Sequence, residues 1–263
     1  MSCATSSVAD QPLVTADRRG PAAVVTLDSP PNRNALSRAL VDQLHATLSG
    51  ALADDSVRVV VLTGAGPVFC SGADLKEQRA GGAPGAVGLP EVLTLIIESP
   101  KPVVARVNGA ARAGGLGLIA ACDLAVGLGG ATFGFSEVRI GVAPAIIAVP
   151  CLRRMDPRAA RELFLTGQPF DGVRAQQAGL LDRAVADDEL DTTVEELVAQ
   201  LAQGAPEALA VTKRLLRDLP GPDLQEDFRR MAAVSAERFG SAEAREGIAA
   251  LLEKRRPAWA PVA

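Results

Sequence analysis

The chain has 263 residues and a net charge of −4 at pH 7, with one Trp and no Tyr. Such a chain lacks the basic face and the aromatic stacking surfaces that nucleic acids require, so we expect no nucleic-acid partner. Apolar residues make up 48% of the chain, which is enough for one large domain or for one domain with an appendage.

The sequence contains no run of about 18 apolar residues, so no membrane span is expected. Residues 1–11 have neither the basic start nor the apolar stretch of a secretory signal, and we predict a disordered tail there. The four cysteines are scattered, with no CxxC pair or Cys/His cluster, so we predict no metal site. These observations favour a cytoplasmic protein with reduced thiols.

Short apolar strands and amphipathic helices alternate through the first part of the chain. Runs of β-branched residues indicate buried strands, and a Leu at every fourth position indicates a helix with one apolar face. In chain order, the predicted elements are a strand over Ala22–Leu27, a helix carrying Leu36, Leu40, Leu44, Leu48 and Leu52, a strand over Val57–Leu62, a mobile Gly/Ala/Pro-rich loop over Ala80–Gly88, a helix over Glu91–Ile97, a strand over Val103–Val107, a helix over Leu116–Cys122, and short strands over Leu124–Val126 and Thr132–Phe135. This alternation predicts an α/β core over residues 12–188.

The remaining residues, 189–263, are predicted to be helical, with breaks at Gly204, Pro206 and Pro220-Gly221-Pro222. These helices carry apolar residues that a small appendage cannot bury alone. We therefore expect the C-terminal region to pack against a second copy of the chain in an oligomer.

Three segments have the composition of a reactive site. In Asn108–Gly115, Gly114 opens a helix after a strand, where free N–H groups and a partial positive charge can hold an oxyanion. Phe69–Lys76 is a second strand-to-helix turn, whose N–H groups could point at the same place. In Phe133–Gly141, Glu137 lies among apolar residues, which would raise its pKa toward the range of a proton-transfer group.

Each segment also fits a purely structural role. The glycines could serve only close helix–strand packing, and Glu137 could be a surface carboxylate paired with Arg139. Gly115–Ala120 matches the GxGxxA dinucleotide fingerprint, but the rest of the chain lacks the layout of that fold. Cys70-Ser71 lies at a promising turn but not in a GxSxG motif. The one histidine, His45, lies on the Leu-rich helix, so hydrolysis is not expected.

Several motifs occur in a fixed order along the chain: Arg33–Leu36, Val60–Gly64, Cys70–Leu75, Val107–Gly109 with Gly114-Gly115, Ala121–Asp123, Phe133–Gly141, Glu246-Gly247 and Glu253–Arg255. Together they resemble the enoyl-CoA hydratase/isomerase family, also called the crotonase family. The resemblance implies a crotonase-like spiral of repeated ββα units with a C-terminal helical oligomerisation region, assembled as a homotrimer or a dimer of trimers. It also implies an acyl-CoA substrate and no cofactor other than the coenzyme A of the substrate.

The resemblance also implies roles for single residues. In the family, two backbone N–H groups hold the thioester oxygen while an enolate forms, and they correspond to those of Ala73 and Gly114. Glu137 corresponds to an acid–base carboxylate. The positions that correspond to CoA-binding residues are Arg33, Ala35, Leu36, Ala73, Asp74, Leu75, Gly114 and Lys254.

The chain departs from the family pattern at Gly117, where hydratases of the family carry a second glutamate. Three outcomes stay open. Glu137 alone could support hydration of a 2-enoyl-CoA, it could move a proton between C2 and C4 as in an enoyl-CoA isomerase, or the chain could bind acyl-CoA with weak catalysis. Arg139–Ile147 resembles a bacterial branch near the methylglutaconyl-CoA hydratases, which favours hydration. Arg112 could then meet a substrate carboxylate, although a solvated loop residue is the simpler interpretation.

Overall fold

The computed structural model describes residues 12–81, 83, 85–219 and 224–261, and for Leu224 the backbone only. The predicted tail over residues 1–11, the predicted helix break at residues 220–222 and part of the predicted loop over residues 80–88 lie outside the described residues. Within the described ranges, no helix is long and apolar enough to cross a membrane.

A sheet that has six strands over the described residues forms the centre of the fold. β1 and β2 form an antiparallel hairpin, and the other neighbouring strands are parallel. β3 is buried along its whole length, as expected of a parallel strand covered on both faces. The order of the strands is β1 (Val14–Arg19), β2 (Ala22–Leu27), β3 (Val59–Gly64), β5 (Val103–Val107), β7 (Leu124–Leu128) and β10 (Arg183–Val185).

In a smaller sheet, three of the four strands over the described residues directly follow strands of the first sheet. Its order over the described residues is β4 (Val68–Cys70), β6 (Ala110–Arg112), β8 (Thr132–Gly134) and β9 (Phe170–Asp171). β4 follows β3, β6 follows β5 and β8 follows β7, and each pair leads into a helix. These are the repeated ββα units that the resemblance predicts, so the predicted fold class is confirmed.

Helices cover the sheets and form the main hydrophobic core with them. α1 buries Leu40, Leu44 and Leu48 of the predicted Leu stripe. α4 is buried on every side, so packing fixes the position of its N-terminus. The helices are α1 (Arg38–Ala53), α2 (Leu75–Ala80), α3 (Leu89–Glu98), α4 (Gly114–Ala121), α5 (Ala145–Arg154), α6 (Pro157–Thr166) and α7 (Gly172–Gln177).

The C-terminal region is helical, as predicted, with α8 (Leu190–Ala202), α9 (Pro206–Asp218), α10 (Leu224–Phe239) and α11 (Ala242–Leu252). α8 covers the second face of the larger sheet, where Leu197 joins the same buried cluster as Val61. α9 is tied to the core by an ion pair of 2.7 Å between Nζ of Lys213 and Oδ2 of Asp123. Apolar side chains of α10 and α11 are exposed in the single chain. The homotrimer or dimer of trimers that would cover them stays a prediction.

Five strands over the described residues were not predicted from the sequence, namely β1, β4, β6, β9 and β10, whereas β8 lies within the predicted strand over Thr132–Phe135. Only Val14 of β1 is buried, so no apolar alternation marks this strand. β4, β6 and β9 are defined by pairing with distant strands rather than by their own composition. The predicted strand over Val57–Leu62 begins instead at Val59, because the N–H of Val57 closes a turn on the carbonyl of Asp54.

Candidate active site

A cleft of about 720 Å³ opens beside the N-termini of α2 and α4. Each of the three segments proposed from the sequence contributes to it, through Ala73, Gly114 and Glu137. The structure therefore brings these three predicted catalytic residues together, while their chemical roles stay predictions. The other lining residues include Leu36, Arg38, Val41, Glu77, Gln78, Gly85–Glu91 and Val142–Ile147.

The turn between β6 and α4 leaves a backbone donor at the cleft. Gly114 is the first residue of α4, so its N–H has no acceptor within the helix. Ala113 precedes it with φ 47° and ψ −117°, a conformation that a residue with a side chain rarely adopts. A Cβ on Gly114 would lie 2.6 Å from Cδ1 of Leu36, so a side chain at this position would have to displace the end of the Leu36 side chain.

The segment around Ala73 is held by a short parallel pairing with the segment before α1. Ser71 donates its N–H to the carbonyl of Arg33 at 3.1 Å, and Leu36 donates to the carbonyl of Gly72 at 2.8 Å. Leu36 and Ala73 form an isolated parallel bridge. Over the part of the chain that the structure describes, the N–H of Ala73 has no acceptor. A second free backbone donor therefore lies at the cleft.

The two donor segments touch each other. Gly72 has φ 88°, and a Cβ placed on it would lie 2.8 Å from Cβ of Ala113. Ala73 and Gly114 each follow one of these two residues. Their N–H groups therefore belong to adjoining strand-to-helix turns, which is the arrangement that a two-donor oxyanion hole requires.

Asn34, which the sequence analysis did not single out, supports this arrangement from inside. Its exposed fraction is 0%, although it is polar. Its Nδ2 donates to the carbonyls of Ala65 at 3.0 Å and Val68 at 2.7 Å, and its Oδ1 accepts the N–H of Ser29 at 2.8 Å. The amide thus joins the segment before α1 to the loop that leads into β4. The sequence signal that could have identified Asn34 is its place inside the Arg33–Leu36 motif.

We expect Asn34→Ala to lower the free energy of unfolding by about 2–4 kcal/mol, because each buried polar group left without a partner costs about 1–3 kcal/mol. Equilibrium urea unfolding would measure the change. Asn32→Ala is the matched control, since its half-buried amide makes one hydrogen bond, to Asp74. An Asn34→Ala loss no larger than that of the control would contradict the structural role.

Glu137 is the first residue of a short 3-10 helix, Glu137–Ile140, and its exposed fraction is only 9%. Burial raises the pKa of its carboxyl above the ordinary range. Its Oε2 has no hydrogen-bond partner among the described residues. A buried carboxylate oxygen without a partner is rare in proteins and marks a functional candidate.

The surroundings of Glu137 differ in part from the prediction. Val138 and Ile140 are exposed rather than packed around the carboxylate, whereas Phe135 is fully buried. The ring centroid of Phe135 lies 4.1 Å from that of Phe164. The alternative of a surface Glu137 paired with Arg139 is wrong, because Glu137 is buried and Arg139 donates to the carbonyl of Thr166.

The other carboxylates that line the cleft, those of Glu77 and Glu91, accept hydrogen bonds from backbone N–H groups. Oε2 of Glu77 accepts the N–H of Arg38 at 2.9 Å, and Oε2 of Glu91 accepts the N–H of Gly88 at 3.0 Å. Gly117 lies buried inside α4 and offers no side chain. Among the described residues that line the cleft, Glu137 is thus the carboxylate with an unpartnered, buried oxygen.

Six of the eight predicted CoA-binding residues lie on two adjoining segments, Arg33–Leu36 and Ala73–Leu75. Leu36 lines the cleft, Ala35 is buried beside it, and Arg33 is exposed. Asp74 caps the N-terminus of α2, and the hydrogen bond from Asn32 lowers its pKa.

Leu75 and Lys254, which are also predicted to bind CoA, are exposed. Leu75 begins α2 with an exposed fraction of 59%. Lys254 follows α11, is exposed, and does not line the cleft of the single chain. The binding roles of all these residues stay predictions.

The alternatives that depended on other residues lose support. Arg112 is half-buried against Gly134 and does not line the cleft. Cys70 is fully buried, and burial raises the pKa of its thiol to about 12, so it is not a nucleophile at neutral pH. His45 lies half-buried on α1, outside the cleft. A Cβ on Gly115 would lie 2.7 Å from the carbonyl oxygen of Cys70, so this glycine permits close helix–strand packing.

Comparison with known proteins gives matches along the whole fold. A family model for enoyl-CoA hydratase/isomerase matches residues 18–261. A Thermus thermophilus protein named "Putative enoyl-CoA hydratase" is 38% identical over 246 residues, covering 91% of this chain and 97% of that protein. A carnitinyl-CoA dehydratase of Citrobacter koseri is 32% identical over 253 residues, covering 92% of this chain and 96% of that protein. The crystal structure of a Mycobacterium smegmatis enoyl-CoA hydratase has a TM-score of 0.87 at 34% identity, covering 95% of this chain and 99% of that chain.

The matched range contains the cleft, both donor turns and Glu137, and it continues through the C-terminal helices. Family model, sequence relatives and solved structures agree. The chain belongs to the enoyl-CoA hydratase/isomerase family.

Proposed function

We propose that the protein adds water reversibly to a 2-enoyl-CoA thioester, with Glu137 as its acid–base group. One observation carries this proposal: a buried carboxylate with an unpartnered oxygen shares its cleft with Ala73 and Gly114, the residues of the two free backbone donors. Proton transfer beside a stabilised thioester oxygen is the chemistry that such a group of residues supports. The hydratase names of several family relatives agree with it.

In the proposed reaction, the thioester oxygen accepts hydrogen bonds from the N–H groups of Ala73 and Gly114. Glu137 takes a proton from water while the water oxygen forms a bond to C3, and negative charge moves onto the thioester oxygen. The protonated Glu137 then gives a proton to C2, and the thioester C=O is restored. The raised pKa of Glu137 suits it to both steps, because it makes the protonated form more accessible than it is for an exposed carboxyl group.

The acyl group is proposed to be short or branched. Leu36, Leu89 and Val142–Ile147 give the cleft an apolar wall that suits a hydrocarbon chain. We further propose that the CoA nucleotide lies along Arg33–Leu36 and Ala73–Leu75, with Lys254 near its phosphates. A methylglutaconyl-like substrate stays a proposal, without Arg112 as its carboxylate-binding residue. Cytoplasmic location and assembly as a homotrimer or dimer of trimers also stay proposals.

A second candidate, enoyl-CoA isomerisation, is favoured by the lack of a side chain at Gly117. Moving a proton between C2 and C4 requires one carboxylate and no water. Glu137 alone could perform it beside the same two donors.

A panel of acyl-CoA substrates tests the function directly. With crotonyl-CoA, hydration is expected to remove the absorbance of the conjugated enoyl thioester. With a 3-enoyl-CoA, isomerisation would create that absorbance. Turnover of the 3-enoyl-CoA alone would replace the first candidate by the second. If neither substrate is turned over but a thermal-shift assay detects acyl-CoA binding, the protein would be an acyl-CoA-binding protein with weak catalysis.

A further inference from the structure

Ile147 on α5 lies directly over Gly117 in the interior of α4. A Cβ placed on Gly117 would be 2.6 Å from Cγ2 of Ile147, 3.1 Å from its Cβ and 3.7 Å from its Cα. The first distance is too short for a contact between carbon atoms and the second is tighter than most such contacts, and a β-branched side chain cannot swing its own Cβ away. No side chain therefore fits at position 117 while Ile147 keeps its place.

Ile147 also belongs to the cleft. Its exposed fraction is only 3%, yet it lines the same cleft as Glu137. Ile146 and Val142 add exposed apolar surface to this wall. The wall that α5 and the loop before it contribute is therefore aliphatic.

We propose that Ile147 is a specificity-determining residue, which keeps a second acid–base group from position 117 of α4 and ordered water from the adjoining α5 wall. This inference rests on the proposed acyl-CoA chemistry at Glu137. A bound water needs about two to four polar partners, and an isoleucine side chain offers none. Hydration requires water at C3, whereas proton transfer between C2 and C4 does not. The aliphatic wall thus holds hydration by Glu137 below the rate that a second carboxylate at position 117 would allow.

Paired substitutions at the two positions test the inference. Gly117→Glu alone is expected to lower the midpoint of equilibrium urea unfolding, because the introduced side chain must displace Ile147. Gly117→Glu with Ile147→Ala is expected to recover most of that loss, since the shortened side chain makes room. Hydration of crotonyl-CoA by the double variant is expected to exceed that of Ile147→Ala at least about tenfold, a smaller gain than the usual 10²–10⁴-fold contribution of a native general acid–base group.

Gly117→Gln with Ile147→Ala is the matched control. Glutamine has nearly the same size and shape as glutamate but cannot exchange a proton at neutral pH. This variant is expected to match the stability of the Gly117→Glu double variant and to hydrate crotonyl-CoA no faster than Ile147→Ala. A difference between the two double variants therefore measures the added carboxylate and not the altered packing.

Three results would decide against these ideas in different ways. If Gly117→Glu alone is as stable as the wild type, Ile147 does not exclude a side chain at that position. If the wild type turns over an enoyl-CoA but both double variants hydrate crotonyl-CoA equally, the wall does not control hydration, and the inference alone fails. If the wild type turns over neither a 2-enoyl-CoA nor a 3-enoyl-CoA, the proposed function fails and the inference fails with it.

Discussion

Glu137→Gln is expected to lower kcat by about 10²–10⁴-fold, the usual contribution of a general acid–base group. The amide keeps the shape of the carboxyl but cannot take up or release the proton that the proposed reaction moves. Acyl-CoA affinity should persist, because both backbone donors and the apolar wall remain. Steady-state kinetics with crotonyl-CoA, and thermal shift with a saturated acyl-CoA, would measure the two quantities separately.

Glu91→Gln is the matched control for this substitution. Glu91 also lines the cleft, and its carboxylate caps the N–H of Gly88, a bond that the amide oxygen of Gln can still accept. We expect kcat of this variant to stay within a few-fold of the wild type. Near-native turnover by Glu137→Gln, or an equal loss in both variants, would remove Glu137 from the proposed mechanism.

Glu137→Gln should also change the free energy of unfolding in a pH-dependent way. Burial raises the pKa of Glu137 above its ordinary value of 4.5, so the folded protein holds this proton more tightly than the unfolded chain. The resulting stabilisation is fully present below pH 4.5 and is lost as the pH rises through the folded-state pKa. Glu137→Gln should therefore gain unfolding free energy over the wild type near pH 8, and the gain should shrink toward pH 4. A gain that does not depend on pH would contradict the raised pKa.

Gly114→Pro is expected to lower kcat by about 10²–10³-fold, the effect of removing one oxyanion donor. Proline is tolerated at the first position of a helix, where its missing N–H has no partner within the helix. The substitution therefore deletes the proposed donor while α4 can still form. Loss of kcat with nearly unchanged KM is the expected pattern, because the hydrogen bond strengthens as charge develops on the oxygen.

Gly114→Ala separates the effect of losing the N–H donor from the effect of adding side-chain atoms at this position. It adds a Cβ close to Leu36, as proline does, but keeps the N–H. The ratio of kcat between the Ala and Pro variants thus reports the donor. Circular dichroism would confirm that both variants are folded. Equal rates in the two folded variants would exclude Gly114 as a donor.

The sequence predicts those parts of the site that depend on local chain geometry. Gly114 follows an apolar strand and opens an apolar helix, so a turn with a free donor is expected from neighbouring residues alone. Glu137 is surrounded by apolar residues in the chain, and it is buried. The residues predicted to surround Glu137 were wrong in part, since Val138 and Ile140 are exposed.

The parts that could not be predicted depend on contacts between distant segments. Asn34 is an ordinary loop residue in the sequence, and its importance follows from partners at Ala65 and Val68. Ile147 reaches Gly117 only because α5 packs on α4. Neither contact leaves a periodic or compositional signal, since tertiary packing and not local preference creates it.

The bridge between Leu36 and Ala73 couples the rim of the cleft to its centre. A CoA moiety bound along Arg33–Leu36, as proposed, would contact the segment whose hydrogen bonds hold the turn of Ala73. Part of its binding energy would then align the proposed donor, rather than only tighten ground-state binding. The CoA part of the substrate would thereby increase polarisation of the thioester carbonyl. A substrate with a shortened thiol part would then show a lower kcat as well as a lower affinity.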